Sequence, residues 1–140
     1  MASFNKYQCF VENVAEKVHN LGSDILKIAL TNTAPNLATH TVLADITEIG
    51  AGNGYAAGGA TVTITASSQS GGTYKLVGND VVFTASGGSI AAFRYAVLYN
   101  STAAGGPLIG EWDSGAAQTI TIGNTFTVDL DQVNGILQIV

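Results

Sequence analysis

At Gly22 the apolar pattern of this chain changes period, and that change decides what it can fold into. Over residues 5 to 21 the side chains Tyr7, Phe10, Val11, Val14, Ala15, Val18 and Leu21 recur at steps of three and four. At about 100° per residue, with Phe4 included, they span an arc of about 140°, one face of an amphipathic helix. Asn5 stands where an N-cap belongs, with Gln8 at the capping-box position. Gly22 suits the left-handed residue that closes a helix, and Lys17 and His19 fall in the last turn, where cations oppose the helix dipole.

Beyond Gly22 the period is two. Ile25 to Leu30 is a short apolar run fit for a buried strand, and Thr41 to Ile46 is a second. Ala60 to Thr65 alternates threonines with Val62 and Ile64, the pattern of a half-buried strand. Tyr74 to Val77 and Val81 to Thr84 flank Gly78-Asn79-Asp80, which reads as a tight hairpin connection. Ser89 to Tyr99 is long, with Phe93, Tyr95, Val97 and Tyr99 on one face and Ala92, Arg94, Ala96 and Leu98 on the other. Leu108 to Trp112, Thr119 to Ile122 and Phe126 to Leu130 follow, and Asn134-Gly135 turns the chain into Ile136 to Val140. Eight or nine short strands with no second helix predict a mainly β fold. It is an antiparallel β-sandwich with one N-terminal amphipathic helix, a single domain over residues 1–140 with the helix at 5–21 and the sandwich at 24–140.

The surface of such a sandwich is poor in charge. Among 140 residues there are 5 Lys+Arg and 10 Asp+Glu, or 11%, against roughly 25% in an average soluble domain. Area scaling from the 14.3 kDa mass gives a surface of about 6,800 Å², hence about one charge per 450 Å². Thr, Ser, Asn, Gln, Ala and Gly must supply the rest, a skin that packs readily against other protein. A net charge of −5 with Lys6, Lys17, Lys27, Lys75 and Arg94 scattered singly argues against a nucleic-acid partner. No stretch approaches the roughly 20 apolar residues of a membrane span, and the N-terminus lacks a signal-peptide core. Cys9 alone cannot form an internal disulfide. Synthesis in a reducing cytoplasm is the simplest expectation.

Few residues offer chemistry. Gly52, Gly54 and Ala57 match G-x-G-x-x-A, but a Thr/Val strand follows where a dinucleotide site needs a helix, so a mobile surface loop is expected. Asp129 to Gly135 departs from a calcium loop, because the Asn-Gly pair is one residue late and Val140 stands where Glu belongs. Glu111 and Asp113 share a strand face beside Trp112, whereas a glycosidase pair must flank a cleft. His19 and His40 have neither a nucleophile elbow nor cysteine partners. No catalytic set, metal or cofactor is expected. The interface candidates are Phe93, Arg94, Tyr95 and Tyr99 on the long strand, Trp112, and Cys9 on a helix face that a second subunit would cover. They point to a homodimer.

The order of segments is familiar. Phe10-Val11-Glu12, Val18 to Asp24, Leu30 to Pro35, Ala44 to Ile49, Gly52 to Tyr55 and Gly58-Gly59 recur in sequence, followed by Phe83 to Gly88, Phe93 to Asn100 and Pro107 to Gly110. Taken together they resemble a family of small tailed-bacteriophage virion proteins of the capsid cement or decoration type. The resemblance implies a jelly-roll-like sandwich on the outer surface of the phage head. There it would bridge neighbouring major capsid proteins, as a dimer near symmetry axes, and brace the shell against packaged DNA. The rival is a receptor- or carbohydrate-binding module of a tail fibre. A chain that starts at Met1 with a capped helix and ends in a strand reads as complete, which favours the cement expectation over a fibre module.

Overall fold

The period-two stretches do form antiparallel strands, and the helical stretch is mostly something else. The computed structural model describes residues 3–140. Its elements are β1 (Phe4–Lys6), α1 (Gln8–Ala15), β2 (Leu26–Thr31), β3 (Ala60–Thr61), β4 (Ile64–Ser70), β5 (Thr73–Gly78), β6 (Val81–Thr84), β7 (Ile90–Asn100), β8 (Leu108–Ile120), β9 (Thr125–Val128) and β10 (Leu137–Ile139). Every strand pairing is antiparallel. One sheet has the order β1-β8-β7-β2-β3, a second β10-β5-β4, and β6 pairs with β9. The fold is thus mainly β with one helix, in keeping with a β-sandwich. These pairings do not by themselves make it a jelly roll.

Two apolar clusters hold the layers. The larger joins Leu26, Ile28, Leu30, Leu98 and Ile109 of the five-stranded sheet to Leu76, Val81, Phe83, Val128 and Leu137 of the other strands. The smaller lies on the far face of the five-stranded sheet. There Tyr7, Ala29, Val97, Tyr99 and Leu108 are covered by Ile46, with Cys9, Leu37 and Leu43 packed on them. β7 therefore sits centrally, and from Ala96 to Asn100 both its faces are covered inside this one chain.

The helix runs over Gln8–Ala15, not over 5–21. Phe4–Lys6 instead pairs with β8, Asn5 opposite Glu111, because an extended segment beside β8 closes that edge with backbone bonds a helix cannot offer. Tyr7 occupies the N-cap position and makes no side-chain cap. The end is a Schellman closure with a lysine in the left-handed position. Lys17 has φ 66°, its N–H donates to Val14 O (3.4 Å) and the Val18 N–H to Asn13 O (2.9 Å). Lys17 thus ends the helix as its left-handed residue instead of lying in its last turn, and Gly22 and His19 fall in the loop beyond it. Val18 and Leu21 belong to the following loop, and their helical spacing reflects burial of Leu21 rather than helix.

The strand pattern is altered where the chain changes sheets. Ala60 to Thr65 splits, β3 pairing with β2 and β4 with β5. Gly78-Asn79-Asp80 is likewise a corner between sheets: β5 pairs with β4 and β10, and β6 with β9. The tight hairpin is at Gly71-Gly72, both with positive φ (60° and 86°), between Ser70 and Thr73; that is the requirement of a type I′ turn. Thr41 to Ile46 holds a 3-10 turn over Leu43–Asp45, closed by Asp45 Oδ2 accepting the N–H groups of Thr41 (2.9 Å) and Val42 (3.2 Å). The segments Leu108 to Trp112 and Thr119 to Ile122 merge into the 13-residue β8. Register shifts flank Phe93, so Phe93 shares the larger core with Ile90, Ala96 and Leu98 instead of facing the way of Val97 and Tyr99.

Candidate interaction surface

Burial decides which of the six interface candidates can touch another molecule. Phe93 is 1% exposed and packs edge-on against Phe126, ring centroids 4.8 Å apart. Tyr99 is buried, its hydroxyl donating to the Gly58 carbonyl at 2.5 Å. Trp112 is buried against Phe4, centroids 5.1 Å apart. These three side chains are spent on the chain's own core. Cys9 is half-buried, with Sγ 3.7 Å from the Leu108 carbonyl and 3.8 Å from that of His40. The Leu37–Leu43 side of the chain packs on it, and burial raises its thiol pKa. Arg94 and Tyr95, like Cys9, are partly exposed. The Arg94 guanidinium grips Asp113 in two parallel bonds of 2.7 and 2.9 Å and lies 5.2 Å from the Tyr95 ring centre. That pair holds the Asp113 carboxyl below its usual range.

Glu111 and Asp113 do share a face, and their environments diverge. Burial raises the Glu111 pKa, opposed by the bond from Asn5 Nδ2 (3.2 Å), while its second oxygen is buried without a partner. A raised and a lowered carboxyl side by side is the electrostatic pattern of an acid and base. Glu111 itself lines none of three surface clefts, one of which is walled by its neighbours Trp112 and Phe4.

The glycine-rich stretch is pinned, contrary to the expected mobile loop. Tyr55, 2% exposed, accepts the Leu30 N–H (3.0 Å) and donates to Glu48 Oε1 (2.5 Å), which also accepts the Gly58 N–H (2.5 Å). Gly59, at φ 79°, lies so close to β2 that a side chain would begin 1.8 Å from the Ile28 carbonyl oxygen. The stretch is a strap along the five-stranded sheet.

His19 is buried in a hydrogen-bonded network, with its Nε2 left without a partner. Asn100 Oδ1 accepts from the Thr102 and Ala103 N–H groups (3.0 and 3.1 Å), and Nδ2 donates to Asp24 Oδ2 (2.6 Å). With the amide so oriented, Nδ2 also donates to His19 Nδ1 at 3.1 Å. The ring is therefore the neutral tautomer with its proton on Nε2. Burial lowers its pKa, against the pull of Asp24. His40 lies elsewhere, accepting the Asn36 N–H on Nδ1. Asp131 holds the Asn134-Gly135 turn, accepting the Val133 and Asn134 N–H groups. Among the described residues no three His, Cys, Asp or Glu side chains lie together as a metal site, and no helix is long and apolar enough to cross a membrane.

What remains for contact is broad and neutral. The surface measures 6762 Å², and with Glu111 buried it carries about one formal charge per 480 Å². Val11, Ile25, Val82, Ile122 and Val133 are more than half exposed on it. A cleft of about 650 Å³ opens between the loop after α1 and the three-stranded sheet, walled by Val14, Val18, Leu21, Tyr74 and Ile139. Between Glu48 and Asp80 the chain carries one charge, Lys75. Neither a protein-family model nor a curated protein nor a solved structure matches this chain.

Proposed function

We propose that the protein is a structural virion component. It binds the outer surface of a tailed-phage head and braces the lattice of the major capsid protein. The observation that carries this reading is the surface: a β-sandwich of 6762 Å² in a chain with only five Lys and Arg and ten Asp and Glu, of which Glu111 is buried. Such a surface gives little long-range steering and little charge desolvation to overcome on contact. It suits apposition over a wide, mostly neutral area. Contacts spread over several capsid subunits can each be modest while the sum is tight, because later contacts are effectively intramolecular. The order of segments that resembles cement proteins agrees with this chemistry.

Purified protein mixed with bare, expanded heads and pelleted tests the proposal. Co-sedimentation that persists as salt is raised, with little uptake by free capsid protein, is the expected result. A protein that stays in the supernatant and labels tail tips or host cells would transfer the reading to a tail-fibre module.

A further inference from the structure

We propose that two copies of this chain pair edge to edge through β4, extending β10-β5-β4 into a continuous six-stranded sheet. β4 ends the three-stranded sheet and is seven residues long, Ile64–Ser70. The other terminal strands are shorter: three residues in β1 and β10, two in β3, four in β6 and in β9. Natural sheets blunt a long free edge with Lys, Pro or inward-pointing charge. β4 reads Ile-Thr-Ala-Ser-Ser-Gln-Ser and has none of these. Its only irregularity is a shift between Ile64 and Ala66, at the end far from the turn.

The type I′ turn settles which backbone groups face outward. In a two-residue hairpin the closing pair is hydrogen-bonded, and bonded and non-bonded pairs then alternate. Ser70 with Thr73 and Ser68 with Lys75 are thus bonded pairs. Gln69 with Tyr74 and Ser67 with Leu76 are not. The N–H and C=O groups of Ser67 and Gln69 therefore point away from β5, towards an edge with no strand on it among the described residues. An antiparallel second copy of β4 offers the same groups in return, as a two-fold axis requires.

The edge is its own antiparallel complement, and charge leaves a second copy of it unopposed. Copies of a chain with net charge −5 repel one another over most approaches. β4 lies in the stretch between Glu48 and Asp80 that contains no acid and one cation, Lys75. Pairing through β4 leaves three strand spacings between the two Lys75 positions, about 14 Å, beyond the Debye length of about 8 Å at physiological salt. The Lys75 ammonium is moreover turned towards the Val133 carbonyl, 2.8 Å away. Neutral side chains of Ala66, Ser67, Ser68 and Gln69 meet their counterparts with no like charges opposed.

Sedimentation equilibrium from low to high micromolar concentration is the test, with amide exchange read at the same concentrations. The wild type should approach twice 14.3 kDa, with the Ser67 and Gln69 amides gaining protection as concentration rises. Gln69→Pro removes an outward N–H, no backbone bond to β5, and one exposed side-chain bond from the Gly72 N–H (3.1 Å), and should weaken dimerisation about tenfold or more with the thermal midpoint at monomeric dilution little changed. A monomer at every concentration overturns the proposal, as does a dimer in which those two amides exchange as fast as at high dilution. If Gln69→Pro fails to fold, the wild-type amides still decide. Because the assay contains no capsid, its failure leaves the head-binding reading untouched.

Discussion

Removing one oxygen, in Tyr55→Phe, tests whether the glycine-rich stretch is a strap. The hydroxyl makes two bonds, accepting the Leu30 N–H and donating to Glu48. Leu30 is wholly buried in β2, so its N–H would lose its acceptor where water cannot replace it, at a cost of about 1–3 kcal/mol. The bond to Glu48 adds a charge-assisted contribution, offset because that carboxylate keeps the Gly58 N–H. The two together come to about 3 kcal/mol. With an unfolding entropy of about 2.1 cal/mol/K per residue, that corresponds to a fall in melting temperature of about 10 °C for 140 residues. Calorimetry measures the fall, and amide exchange over residues 49–59 should rise with it. Tyr99→Phe removes a single bond to the Gly58 carbonyl and should cost about 1 kcal/mol. A Tyr55→Phe protein that melts within about 2 °C of wild type would show that the loop does not depend on this hydroxyl.

The proton on His19 gives a pH dependence. Its folded-state pKa lies below the unfolded value of 6.5. The unfolded chain therefore takes up the proton first, and urea midpoints should fall as pH is lowered through 6.5 and below; His19→Gln should flatten that limb. Glu111 has the opposite sign, since its folded pKa is raised. Wild type should lose stability relative to Glu111→Gln as pH rises from 4.5 through that folded value, seen as a gap in midpoints that widens in the variant's favour. Gly59→Ala, with a side chain starting 1.8 Å from the Ile28 carbonyl oxygen, should lose more than about 4 kcal/mol. Gly71→Ala, with open space at φ 60°, should cost about 1 kcal/mol; equal losses on chemical denaturation would contradict the packing at Gly59.

The fold class is legible because short runs of β-formers divided by turn residues recur from β2 to β10, alternating where one face is exposed, as in β6, and mostly apolar where both are covered, as in β2. The errors fall where local pattern and long-range pairing compete. Phe4 to Lys6 reads as the start of a helix, yet β8 offers it a backbone edge. Gly78-Asn79-Asp80 has turn chemistry, but which strands flank a turn in space depends on partners distant in sequence. The actual hairpin carried a plain signal in Gly71-Gly72 between runs of β-formers. The aromatic residues Phe93, Tyr99 and Trp112 were mistaken for contact residues because an aromatic stripe looks the same facing a partner or facing inward. The Tyr55–Glu48–Gly58 strap had no signal beyond a buried-size residue among glycines, since its bonds join groups separated by loops. For the contact surface the informative trait was compositional: the scarcity of charge survives into the folded surface unchanged.

Imaging purified virions, with the copy number per particle counted, tests the head-binding account most directly. The account predicts density for this protein on the outside of the head, in hundreds of copies, bridging capsid subunits. Density confined to the tail, in a handful of copies, would contradict it.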